Sequence, residues 1–182
     1  MELNRATRDG EEIQYWECDT LTQVSARILE KLRRKAQLEP ESKVTLVIAD
    51  PALYDNGKLE VVPSISTVNL LPRINVVLVE SWEELIMLTK SHYTPGSPMA
   101  PGCVDENCKT LVFYRVLEHF SEQLDGQKVN YWGNLLYKLI KVTRCEVDCV
   151  EVGVDETQVP NTEASSDMIS LELLLSKWMN IE

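Results

Sequence analysis

Glu17-Cys18-Asp19-Thr20-Leu21-Thr22-Gln23-Val24-Ser25-Ala26-Arg27-Ile28-Leu29-Glu30-Lys31-Leu32 reads as a corner between a strand and a helix. Ile13, Tyr15 and Trp16 just before it make residues 12–18 an aromatic-rich short strand. Thr20-Leu21-Thr22-Gln23 has the capping-box pattern, in which the threonine hydroxyl accepts a helix amide and the glutamine reaches back to the cap. Leu21, Val24, Ile28 and Leu32 share one helical face, and Arg27, Lys31 and Arg34 share another. The helix is expected to end before Pro40, whose ring disfavours helical geometry at Glu39.

Working outward, Val44-Thr45-Leu46-Val47-Ile48 reads as a buried strand. Asp55-Asn56-Gly57 reads as a turn, with residues 58–62 returning antiparallel across a long hairpin. Residues 74–79 give the strongest strand signal, suited to a closing central strand, and Ser81-Trp82-Glu83-Glu84 caps a helix running to about Lys90. Residues 92–102 hold three prolines and two glycines and read as a loop. Residues 109–124 read as a helix, with Val112, Val116, Phe120 and Leu124 four apart, stopped by Asp125-Gly126. Another helix is expected from Asn130. Residues 145–154 alternate as a strand whose phase slips, for which a bulge near Cys149-Val150 is expected. Residues 157–165 read as loose and polar. A last amphipathic helix is expected from about Asp167, with Met168, Leu171, Leu175 and Trp178 as its stripe.

These elements imply an α/β (α+β) protein, a mixed sheet of about five strands packed with about five helices. The division expected is a β-rich part at 1–91, a Pro/Gly loop at 92–108 and a helical part at 109–182. A single domain is the alternative, since 182 residues suffice for one sizeable core.

Hydrophobic residues make up 44% and charged residues 26%, the balance of a globular domain. No apolar run approaches the roughly 18 to 20 residues that span a bilayer, and residues 1–5 lack the apolar stretch of a secretory signal. Five cysteines, an odd number, fit reduced thiols in the cytosol or nucleus better than a disulfide framework. The net charge is -11, and residues 145–182 hold nine acids against one base. Such a field repels nucleic-acid phosphate, so no nucleic acid and no membrane are expected as partners. A basic partner, or solubility, is the use left for that charge.

Catalytic chemistry finds little footing. Cys103/Cys108 and Cys145/Cys149 lack the usual zinc spacings, and a strand holds Cys145 and Cys149 roughly 13 Å apart. No metal is expected, and these thiols read as small buried hydrophobes. Of the two histidines, His92 lies near Cys103 and Cys108 in sequence, but no nucleophile signature surrounds them. Neither a G-x-G-x-x-G pattern nor a P-loop is present, and Ser25 and Ser97 have no elbow motif. Neither a cofactor nor a catalytic residue is expected. The basic cluster Arg27, Lys31, Arg33, Arg34 and Lys35 is the one concentrated positive charge, and Arg27, Lys31 and Arg34 share a face of it. It reads as a solvated face, as a partner surface, or as the target of the chain's own acidic C-terminal segment.

Glu17-Cys18-Asp19-Thr20-Leu21-Thr22-Gln23-Val24, followed by Arg27-Ile28-Leu29, resembles the strand-to-helix corner of plexin-type Rho-GTPase-binding domains. The resemblance implies a ubiquitin-like, β-grasp order over residues 1 to about 80 and a binding scaffold. Ser25 and Ala26 depart from the charged residues usual there, and no family contact residue carries over. The expectation is therefore a non-enzymatic protein-interaction or adaptor module, with a small GTPase as one partner class. The alternatives are a self-associating assembly protein using Met168, Leu171, Leu175 and Trp178, and an enzyme using Cys103 or Cys108.

Overall fold

The Thr20 cap forms as its sequence requires. Strand β1 (Ile13–Glu17) leads into helix α1 (Leu21–Lys35), and Thr20 Oγ1 accepts from the Gln23 amide at 3.3 Å. Gln23 reaches back past the cap, its Oε1 accepting from the Cys18 thiol at 3.1 Å. The computed structural model describes residues 13–18, 20–54, 68–91 and 108–181. The turn at Asp55-Asn56-Gly57, the strand at 58–62, and His92, Ser97 and Cys103 of the Pro/Gly loop lie outside them.

After α1 come β2 (Lys43–Ile48), β3 (Ile74–Leu78), α2 (Trp82–Ser91), β4 (Cys108–Tyr114) and the one-turn helix α3 (Val116–His119). Then follow α4 (Gly126–Thr143), β5 (Glu146–Glu151), β6 (Gln158–Pro160), β7 (Met168–Ser170), α5 (Leu171–Ser176) and β8 (Met179–Ile181). The chain is thus α/β. Its main sheet has six strands in the order β3-β2-β4-β5-β1-β8. Each neighbouring pair runs parallel, and among the described residues antiparallel pairing is confined to the separate β6–β7 pair.

This order corrects several expectations. The three strands described within the first 80 residues lie in the parallel sheet, and β1 sits between β5 and β8, away from β2, so these strands do not form a β-grasp. β3 is an outermost strand, not a central one. The sheet interleaves β1, β2 and β3 with β4, β5 and β8, so both halves of the chain share one sheet. The main sheet is uniformly parallel instead of mixed because helices and 3-10 turns carry the chain back between strands.

Burial on both faces explains the elements misread from the pattern. Parallel strands between two helical layers read as continuous apolar runs. In β4, Leu111 and Phe113 face the layer of α2, α4 and α5, while Val112 and Tyr114 face α1. That run carries apolar residues at four-residue spacing, hence the helix expected at 109–124. In β5, Val147 and Cys149 face one layer and Val150 the other. The phase slip is plain alternation, and the register passes Cys149-Val150 without a bulge. Asp125 is the cap of α4, its Oδ1 accepting from the Lys128 amide at 2.9 Å, so that helix begins four residues before Asn130. Among residues 157–165, Gln158–Pro160 is ordered as β6.

The C-terminal stripe closes the core. Leu171 and Leu175 of α5 are buried against α4 and its neighbours, while Met168 lies in β7, ahead of the helix. The Trp178 indole packs on Gly133 and donates from Nε1 to Asn130 Oδ1 at 3.1 Å. A Cβ on Gly133 would fall 2.5 Å from Trp178 Cγ, so this glycine permits the close approach. Gly133→Ala is expected to lower stability by about 2 kcal/mol through overpacking. Urea denaturation at unchanged m-value checks it, and an alanine variant as stable as the parent would contradict this packing.

Candidate functional site

Parallel α/β sheets place their ligand crevices outside the carboxyl ends of strands, where successive connections diverge. Here β2 continues to β3 on one side and β4 continues to β5 on the other, and β2 and β4 are neighbours. The crevice at their carboxyl ends is an open cleft of about 140 Å³ lined by Asp50, Arg115, Glu118 and His119.

Arg115 forms a sharp elbow between β4 and α3. Its backbone is left-handed (φ 53°, ψ 30°), and its amide donates to Val150 O at 2.7 Å. For a residue with a side chain this conformation costs roughly 1–2 kcal/mol. The guanidinium forks onto Glu118, Nε to Oε2 at 2.6 Å and Nη2 to Oε1 at 2.7 Å. That pairing with Glu118 raises Arg115 further above its ordinary value. Asp50 Oδ1 accepts from the Ala52 amide at 2.9 Å, which orients the carboxylate after β2. His119 is exposed and meets Phe120 edge-on.

Beneath the elbow lies Glu151, the last residue of β5 and wholly buried. Its Oε1 accepts from the Leu117 amide at 2.9 Å and its Oε2 from the Glu118 amide at 3.1 Å. Burial pushes this carboxyl up to about 8, against the downward pull of the two amides. The Leu117 and Glu118 amides of α3 are thereby satisfied from inside the protein.

The corner between β1 and α1 occupies another carboxyl-end position, the kind where nucleotide folds place a glycine-rich loop against phosphate. Here only Cys18, Asp19 and Thr20 separate the two elements, with no glycine among them.

The basic stripe of α1 turns mostly inward, toward the sheet. The Arg27 guanidinium lies 4.1 Å from the Trp16 ring centroid. Lys31 Nζ pairs with Asp148 Oδ2 at 2.5 Å, and Trp16 Nε1 donates to the same oxygen at 3.2 Å. Lys35 continues the row to Thr110 Oγ1 and Glu146. Glu146 and Asp148 belong to the acidic C-terminal segment, which Lys31 of the stripe and the neighbouring Lys35 reach. Arg34 points outward and, with Arg33, grips Glu30, whose carboxyl the two guanidinium groups hold down to about 2. Of the C-terminal stripe, Leu171 and Leu175 are core residues, Trp178 is partly buried, and Met168 remains on the surface.

Cys145 and Cys149 are buried thiols outside any disulfide, and burial raises the Cys149 thiol well above its usual value. Among the described residues no group of three or more His, Cys, Asp or Glu is placed to hold a metal ion. Nor is any helix among them long and apolar enough to cross a membrane. The crevice offers charge and hydrogen bonding, and its four lining side chains include no serine, threonine or cysteine nucleophile.

No family model matches the chain, and no curated protein matches its sequence. Asp50, Arg115, Glu118 and Glu151 escaped the reading of the sequence. Their signal is a charged residue at the end of an apolar run, as in Val47-Ile48-Ala49-Asp50 and Val112-Phe113-Tyr114-Arg115.

Proposed function

We propose that this chain is a non-enzymatic protein-interaction module. The supporting observation is the outer surface of the helices on one side of the sheet. Met87 of α2, Tyr131 and Val142 of α4 and Leu173 of α5 are 61%, 46%, 66% and 63% exposed. Methionine and aromatic side chains are enriched at protein interfaces. The buried thiols and the glycine-free β1–α1 corner favour binding over catalysis. Self-association through Met168, Leu171, Leu175 and Trp178 is the weaker reading, because Leu171 and Leu175 pack inside their own domain.

Although the sheet is not a β-grasp, the residues of the corner, Glu17 to Val24, still resemble plexin-type domains, and a Rho-type GTPase is the first partner to test on that local likeness alone. Pull-down with GTP- and GDP-loaded forms identifies one if the GTP form is retained preferentially. Equal, negligible retention removes that class. Light scattering across a concentration series separates the self-associating reading, which predicts a mass above one chain.

A further inference from the structure

Helix α4 departs from the charge of the chain around it. The net charge is -11, yet residues 126–144 hold Lys128, Lys138, Lys141 and Arg144 and no acid. These cations are more dilute in sequence than those of α1, but no carboxylate on the helix offsets them. Lys128 turns back onto its own domain, donating to Gln123 O at 2.8 Å and lying 3.7 Å from Glu163. Lys138, Lys141 and Arg144 are exposed.

Aromatic rings are interleaved with these cations. Tyr131, Lys138 and Val142 fall along one line of the helix and Tyr137 and Lys141 along the next, over about 17 Å. Lys141 Nζ lies 5.4 Å from the Tyr137 ring centroid, and Lys90 Nζ of α2 lies 5.4 Å from that of Tyr131. The acids of the two flanking helices are confined to first turns, Glu83 and Glu84 on α2 and Glu172 on α5.

We propose that the outer face of α4 docks a short acidic segment of a partner protein, one whose carboxylates alternate with apolar side chains. This rests on the interaction-module reading and names the chemistry of its partner. Carboxylates of the segment pair with Lys138 and Lys141, and its apolar side chains cover Tyr131, Tyr137 and Val142. The charge of the whole chain decides against larger polyanions. Charges more than about 8 Å apart are largely screened at physiological salt, so a short segment on α4 meets the local cations alone. A nucleic acid or an anionic membrane extends past the helix and meets the acids of the remaining surface.

Selection of a random peptide library on the full chain, followed by titration of the recovered peptides, tests this. Those peptides are expected to be rich in Asp and Glu with interspersed Leu or Phe. They should bind about tenfold more weakly when salt is raised from about 50 to about 500 mM. Lys138→Glu/Lys141→Glu should weaken them by about tenfold or more at low salt, and Lys138→Gln/Lys141→Gln by less, with the fold kept in circular dichroism. Neutral or basic peptides that bind through Tyr131 would overturn the acidic partner and leave the interaction module standing. Acidic peptides that bind both variants as they bind the parent would overturn the docking face. Duplex DNA or phosphatidylserine vesicles bound as tightly as the peptides, and released by the same charge reversal, would mean a general polyanion surface and overturn it too. Recovery of no peptide above the bare support overturns the inference, and purification of the native chain with its partner then judges the module separately.

Discussion

Lys31→Met is expected to lower stability by about 3 kcal/mol, the cost of leaving a buried charge without its partner. Asp148, whose side chain is 2% exposed, accepts at Oδ2 from Lys31 and Trp16, while its Oδ1 has no partner among the described residues. Methionine keeps the aliphatic stem of Lys31 over the sheet and removes only the ammonium. The carboxylate then retains one indole N–H in a site closed to water. The double variant Lys31→Met/Asp148→Leu should lose less than Lys31→Met alone, since both buried charges are gone. Urea denaturation of the parent and the two variants measures this. A loss under about 1 kcal/mol for Lys31→Met would mean an ordinary surface pair, with α1 not keyed into the sheet.

Trp132→Ala should cost about 3–5 kcal/mol. Trp132 is fully buried at the centre of the layer beneath α4. Its ring meets Trp82 edge-on at 5.8 Å and Phe113 at 5.2 Å, joining α2, α4 and β4. Its Nε1 donates to Thr89 Oγ1 at 3.3 Å, and that hydroxyl donates in turn to Leu85 O at 2.8 Å. Alanine removes the ring contacts and leaves a cavity that three rigid elements cannot collapse to fill. Trp132→Phe keeps most of the packing and should cost about 1–2 kcal/mol, a loss assigned to the missing N–H and the smaller ring. Equal losses for alanine and phenylalanine would mean that the aromatic contacts contribute little.

The local signals read well where one residue type has one physical use. The Thr20 and Ser81 caps formed, because a hydroxyl before an amphipathic run has few other roles, and Ser81 Oγ accepts from the Glu84 amide at 3.1 Å. The strands β1, β2 and β3 also lie where apolar runs placed them. What escaped was set by the sheet. A strand buried on both faces loses its alternation, so β4 resembled a helix and β5 seemed to need a bulge. Pairing order is not written in local spacing either, and it decides that β1 neighbours β5 and β8. The basic stripe of Arg27, Lys31 and Arg34 shows the same limit. Its existence was plain, but the inward turn of Lys31 depended on Asp148, more than a hundred residues away along the chain. The crevice needed both strand ends at once, and Arg115 lay in a segment read as mid-helix.

Purification of the tagged full chain from its source under native conditions, beside Tyr131→Glu, tests the interaction module most directly. Tyr131 is 46% exposed on α4, so the variant should keep the parent's thermal midpoint while charging the outer helical surface. The parent is expected to elute with a protein partner in fixed stoichiometry, and Tyr131→Glu to lose it. A parent chain that elutes alone, as a monomer, would contradict the interaction module.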